Sequence, residues 1–318
     1  MSGGEAVGVD LGGTKMLVGV VDESCGVSYR RMESSSGQTE KALLELAVRV
    51  IGEALAERPE AKSVGLGIPC TIDRARGVAI AAVNLPLVNV PIVEVLTREL
   101  GVPVWIDNDG NTAALAEHRF GAARGTRNAV MVTIGTGIGG GLIIEGELYR
   151  GSTGAGAELG HVVIDYDGGP CQGSCRGRGH VETLASGTAI GRDGAAAAQQ
   201  EPDSALGRAL AGGQAVDGKL VSEAAMAGDE VARGVITEVG RRLGAALVSY
   251  ANLFEPDVIV IGGGGAAAGD LLLDPAREVL RDTALVPMRD TPVKAAALGP
   301  DAGMIGAAAM AREELARA

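Results

Sequence analysis

Three stretches of the chain run apolar and then break at glycine. Ala6 to Asp22, AVGVDLGGTKMLVGVVD, predicts a strand, a short turn carrying Gly12, Gly13 and Thr14, and a second strand. Ala129 to Leu148, AVMVTIGTGIGGGLIIEGEL, repeats the pattern, with two β-branched runs about a turn rich in glycine from Gly135 to Gly141. The third, Val258 to Gly265, is the apolar run VIVIGGGG. Two strand–turn–strand units roughly 120 residues apart indicate an internal duplication.

Between these stretches the period changes. Thr39 to Glu57 places apolar residues at helical spacing behind a Thr start, and further helices are expected at Ile92–Leu100, Asn111–Phe120, Val231–Asn252, Leu271–Leu280 and Gly299–Ala318. Additional strands are expected at Val27–Glu33, Ser63–Ile68 and Val102–Ile106, with Pro69, Cys70 and Thr71 as a turn after the second of these. Residues 194–218, rich in Ala, Gln and Gly, suggest an exposed helical hairpin or a mobile connection. Strands alternating with helices define an α/β fold.

The glycine turns carry the first candidate chemistry. Main-chain N–H groups converge on an anion where no side chain intervenes, so the Gly135–Gly139 tip and its N-terminal counterpart are candidate phosphate cradles. Two such cradles together clamp a polyphosphate. A ligand-free Gly-rich hairpin tip is the plain alternative. The letters Gly135 to Gly140 also fit GxGxxG, but the dinucleotide fingerprint must open a helix, and here a second strand follows.

Two polar clusters stand out. Asp107, Asn108, Asp109, Gly110, Asn111 and Thr112 crowd a strand-to-helix junction, where Asp and Asn also serve as helix caps and where α/β sheets bind their ligands. The chain has three His, and two of them, His161 and His180, share a short window with Cys171 and Cys175. Four such ligands on a loop fit a closed tetrahedral Zn²⁺ site, the alternative being unrelated thiols and imidazoles. Glu158 and Glu182 bracket that loop.

Composition narrows the partners. Lys+Arg 28 against Asp+Glu 40 leaves −12, which disfavours nucleic acid or an anionic membrane as a main partner, although a local nest of amides still holds an anion. Four Cys in 318 residues need no disulfide frame, and neither a signal peptide nor a long apolar run is apparent. A cytoplasmic protein with reduced thiols is expected, with Cys70 a small core residue.

Taken in order, DLGGTK at Asp10–Lys15, NLP at Asn84–Pro86, NDGNTAALAE at Asn108–Glu117, GTGIGGG at Gly135–Gly141, ELGH at Glu158–His161, the Cys/His window and LGPDAGMIGAA near the C-terminus make the chain resemble a sugar kinase of the ROK (repressor, open reading frame, kinase) family, of the glucokinase type. The resemblance runs from Val7 to about Ala309. It implies the actin-like ATPase (ribonuclease H-like) fold, with a small lobe over residues 1–110 completed by a C-terminal helix at 300–318, and a large lobe over 111–299 bearing a zinc loop at 161–182.

It also implies ATP-dependent phosphorylation of glucose at O6. Asp109 is then the general base. Asn84, Asn108, Asp109, Glu158, His161 and Glu182 face the sugar. Gly12, Gly13, Thr14, Lys15, Gly135, Thr136, Gly137 and Gly139 hold the phosphates of ATP, Asp10 is an outer-sphere partner of Mg²⁺, and Gly263 and Gly264 meet the rest of the nucleotide. Asp107 is expected to be dispensable. His161, Cys171, Cys175 and His180 are the structural zinc ligands, although this chain departs from the family pattern, with His180 where a third Cys is usual and a wider Cys171–Cys175 spacing. A homodimer or homotetramer is expected. The same motifs serve kinases of N-acetylmannosamine and other amino sugars. They also occur in sugar-sensing repressors, which carry a DNA-binding segment ahead of the first hairpin, where six residues precede Val7 here.

Overall fold

The computed structural model describes residues 4–82, 84–172 and 175–318. The first apolar unit forms an antiparallel hairpin, β1 (Ala6–Leu11) and β2 (Lys15–Val21), and β3 (Val27–Ser34) adds to the outer side of β2. Thr39 caps α1 (Glu40–Glu57), its Oγ1 accepting from the Ala42 amide at 3.3 Å. β4 (Val64–Ile68), buried at every position, lies parallel to β1.

The expected turn at Pro69–Thr71 is instead the start of a strand. β5 (Cys70–Asp73), β6 (Val78–Ala82) and β7 (Val88–Val90) form a small antiparallel sheet, in which Cys70 is 8% exposed. α2 (Ile92–Leu100) follows and stops at Gly101, which takes the left-handed conformation with φ 69°. β8 (Val104–Asn108) lies parallel to β4 and continues two residues beyond the expected Ile106, so Asp107 and Asn108 belong to the strand. α3 (Asp109–Phe120) begins directly after it. The sheet order is β3-β2-β1-β4-β8.

The second hairpin is β9 (Ala129–Ile134) and β10 (Ile138–Ile144), and β11 (Glu147–Tyr149) pairs antiparallel with β10. A short α4 (Val181–Ala185) precedes α5 (Gly187–Gln200), α6 (Ala205–Ala211) and α7 (Gly218–Met226), so residues 194–218 are mostly helical and pack through buried Ala198, Leu206 and Gly207. The long α8 (Glu230–Phe254), β12 (Val258–Gly262), α9 (Asp270–Thr283), β13 (Val293–Ala295) and α10 (Ala302–Arg317) complete the chain. The second sheet runs β11-β10-β9-β12-β13, with β12 parallel to both β9 and β13. That order repeats the first, strand for strand, as a duplicated unit requires.

The chain divides into two compact units, one of Met1–Gly125, Gly141–Ala157 and Ala297–Ala318, the other of Thr126–Gly140 and Glu158–Ala296. The first break thus falls after α3 rather than at residue 110, because α3 packs on α10. The contact is backbone to backbone, since a Cβ on Gly306 would lie 1.7 Å from the Thr112 carbonyl, and α10 meets β4 as closely, where a Cβ on Gly65 would lie 1.9 Å from the Ala307 carbonyl. Buried Glu117 holds the places where the chain leaves and rejoins this unit, its carboxylate accepting from the amides of Ala122 at 2.7 Å, Ala297 at 3.1 Å and Leu298 at 2.8 Å.

Candidate active site and Cys/His centre

In the first unit, Asp10 is the last residue but one of β1, and the chain turns through Gly12–Thr14, closed by a Gly12 amide to Lys15 carbonyl bond of 2.9 Å. The turn meets the segment at Asn84: a Cβ on Gly13 would lie 2.8 Å from the Asn84 carbonyl oxygen, so only glycine fits. Asp10 is mostly buried. Burial, then the charge of Asp109, pushes its carboxyl up to about 6, against an ordinary 3.8. Burial likewise raises the Asp109 carboxyl, opposed by the Gly110 amide. Two carboxylates, one near the end of β1 and one opening α3, therefore share one weakly solvated region, near the Gly12–Gly13 turn.

The cap of α3 is Asn108, not Asp109. Asn108 Oδ1 accepts from the Gly110 amide at 2.9 Å, which leaves its amide nitrogen to donate elsewhere. Asp109 is the first helical residue, its Oδ1 also 2.9 Å from the Gly110 amide. Capping thus does not account for Asp109.

In the second unit, the Gly135–Gly137 turn is braced on the N-terminus of α5. The Gly187 amide donates to the Gly135 carbonyl at 2.8 Å, and Thr188 Oγ1 donates to the Thr136 carbonyl at 2.8 Å. The positive end of a 14-residue helix stands behind the turn, which favours an anion there. The stretch Ser186–Thr188 was not expected as a site element; its signal is Ser186, whose Oγ accepts from the Ala189 amide at 3.2 Å as the N-cap. Gly139 lies against Thr133. Gly263, at φ 86°, brings the end of β12 to the base of the same turn, where a Cβ would lie 2.3 Å from the Ile134 carbonyl; Gly264 opens the 3-10 turn that follows.

Glu182 ties the hairpin to the Cys/His window. Its Oε2 accepts from the Ile138 amide at 2.9 Å, and its Oε1 lies 3.8 Å from Cys171 Sγ. One of its two oxygens is therefore engaged by backbone. Leu159–His161 forms a 3-10 turn pinned by the Tyr250 hydroxyl, which donates to the Leu159 carbonyl at 2.6 Å. Glu158 lies on the exposed side, with Oε2 4.0 Å from His161 Nε2.

His161, Cys171, Cys175 and His180 converge, their ligand atoms all within 4.8 Å of one another. His161 Nδ1 is 3.2 Å from His180 Nδ1 and 3.7 Å from Cys171 Sγ, and Cys175 Sγ is 3.8 Å from His180 Nδ1. Zinc bonds of about 2.0–2.1 Å to nitrogen and 2.3 Å to sulfur set tetrahedral donors about 3.3–3.8 Å apart, so the donor set and spacing fit that ion. Burial, then the neighbouring Cys175, pushes the Cys171 thiol up to about 11, and burial followed by the charge of His161 lowers His180. A cation in the cluster reverses the cost to the thiolates.

Comparisons with known proteins agree with this architecture. The ROK family profile matches residues 6–314. A glucokinase of Thermotoga maritima is 36% identical over 314 residues, covering 97% of this chain and 98% of its own. A glucokinase of Streptomyces coelicolor is 37% identical over 319 residues, covering 98% of each. Among solved structures, a ROK family glucokinase from Streptomyces griseus in complex with glucose and AMPPNP superposes with a TM-score of 0.86 at 35% identity, covering 97% of this chain and 99% of that one. The fold is that of the actin-like ATPases. The chain belongs to the ROK family.

Proposed function

We propose that the protein transfers the γ-phosphoryl group of ATP to O6 of glucose. The observation that carries this reading is Asp109: a carboxyl at the strand-to-helix junction, its pKa raised by burial, in the same unit as the glycine turn after Asp10, where the N-cap is Asn108 instead. Sequence likeness to glucokinases along nearly the whole chain supports the choice of sugar.

Phosphoryl transfer needs positioning and charge neutralisation more than covalent chemistry. The amides of Gly12–Thr14 and of Gly135–Gly139 hold the phosphates, Lys15 adds a cation, and Gly263 and Gly264 take the rest of the nucleotide. Asn84, Asn108, Glu158, His161 and Glu182 hold the sugar hydroxyls, and Asp109 accepts the proton of the attacking one. Mg²⁺ arriving with ATP supplies charge neutralisation, and Asp10, whose burial leaves its charge poorly balanced, suits its hydration shell. His161, Cys171, Cys175 and His180 hold Zn²⁺ as a structural ion that orders the loop between Glu158 and Glu182. The described residues contain no helix long and apolar enough to cross a membrane, in keeping with a cytoplasmic enzyme.

A coupled ADP-release assay across glucose, mannose, fructose, N-acetylglucosamine and N-acetylmannosamine tests the proposal. Glucose should show the highest kcat/KM. An N-acetyl sugar in first place would overturn glucose as substrate and leave the kinase class standing.

A further inference from the structure

Asp107, expected to be dispensable, is 2% exposed and fully engaged. Its Oδ1 accepts from the Asn108 amide at 2.8 Å and from Asn111 Nδ2 at 2.7 Å. Its Oδ2 accepts from Arg150 Nε at 2.6 Å, and Arg74 Nε stands 3.8 Å away. The two residues held by Oδ1 lie on either side of Asp109, one ending β8 and the other in the first turn of α3. Asn111 turns its amide toward Asp107 although its own Oδ1 is then buried without a partner.

Arg150 follows β11 and opens the segment 150–157, whose far end leads to Glu158. That segment folds back on its own start, the Gly156 amide donating to the Arg150 carbonyl at 2.8 Å. A buried ion pair is a poor source of net stability, since apolar residues of similar volume do as well; what it supplies is directed, mutually dependent geometry. A carboxylate with three directed donors is of that kind.

We propose that Asp107, held by Arg150, is a positioning residue that fixes the placement of the Asp109 carboxylate. The inference rests on Asp109 being the base of the proposed kinase. Misplacement of a reacting group by about 1 Å costs on the order of a hundredfold in rate. Asp107→Asn presents an amide donor to Arg150 or gives up the Asn108 and Asn111 bonds. Arg150→Gln, at a partly exposed position, reaches the same pair from the other side and serves where Asp107→Asn fails to fold.

The experiment measures kcat and KM for glucose per folded enzyme, with glucose affinity by calorimetry, for wild type, Asp107→Asn, Arg150→Gln and the double variant. Each single variant should lose at least about tenfold in kcat with KM for glucose within about threefold, and the double variant should lose no more than the worse single one. A purely structural role would lower melting temperature and leave kcat per folded enzyme unchanged, which overturns the inference. Multiplying losses in the double variant also overturn it. Wild-type enzyme that forms no sugar phosphate overturns the kinase proposal and this inference together.

Discussion

Two carboxylates of the first unit are held where burial works against their charge, and their titration separates structural cost from catalytic use. Asp10 has a carboxyl near 6 in the folded chain against 3.8 in the unfolded one, so the folded state binds the extra proton between those values. Stability from this group is fully present below about 4 and is lost as pH rises through about 6, an effect of about 3 kcal/mol. Asp10→Asn should therefore raise the melting temperature at pH 7 and flatten its fall between about pH 4 and 6, while activity drops. A lower melting temperature at pH 7 would show that Asp10 is structural. Asp109→Asn should lower kcat by about 10²–10⁴ with glucose affinity nearly unchanged, and retention of more than about a tenth of wild-type kcat would remove Asp109 from the mechanism. The residue types at this junction were legible in sequence, but the division of labour was not. Asn and Asp are equally good caps, and only the helix start at Asp109 assigns that duty to Asn108. Arg150, 43 positions from Asp107, gave no local signal at all.

At the scale of elements, periodicity and glycine turns foretold both hairpins, most helices and the strands between them, because those signals are local. The departures come from tertiary pairing. β5 begins at Cys70 because pairing with β6 across a later turn overrides the turn propensity of Pro69 and Thr71. Of the two readings of residues 194–218 the helical one holds, with Ala198, Leu206 and Gly207 buried rather than exposed. The Cys/His window was legible from spacing, and its geometry leads to a testable expectation. With little apolar core between Glu158 and Glu182, much of that loop's order should come from a metal. Purified protein not exposed to chelator should carry about one zinc per chain by elemental analysis. Cys175→Ser should lose most of it, with a lower melting temperature and a raised KM for glucose, since His161 and Glu182 lie against the same cluster. Metal content well under half an equivalent, in active enzyme, would leave the cluster a set of thiols and imidazoles.

For the whole molecule, the repeated hairpin in sequence became a repeated five-strand order in structure, β3-β2-β1-β4-β8 and β11-β10-β9-β12-β13, the deepest feature that the chain advertised. The discontinuity of the two units was less visible. The return of α10 to β1, β4 and α3 depends on glycines far apart in sequence, Gly8, Gly65 and Gly306, whose lack of a Cβ matters only once those elements meet. The candidate sugar ligands are likewise divided, with Asn84, Asn108 and Asp109 in one unit and Glu158, His161 and Glu182 in the other. Whichever of these residues hold the hexose, its binding to the folded and not to the unfolded chain adds to stability. Saturation at about 100 times the dissociation constant stabilises by about 2.7 kcal/mol. For 318 residues the unfolding entropy is about 0.7 kcal/mol per degree, so the expected rise in melting temperature is about 4 °C. Differential scanning calorimetry with glucose should show that rise where the chain unfolds in one transition. No shift at saturation would remove glucose as the ligand.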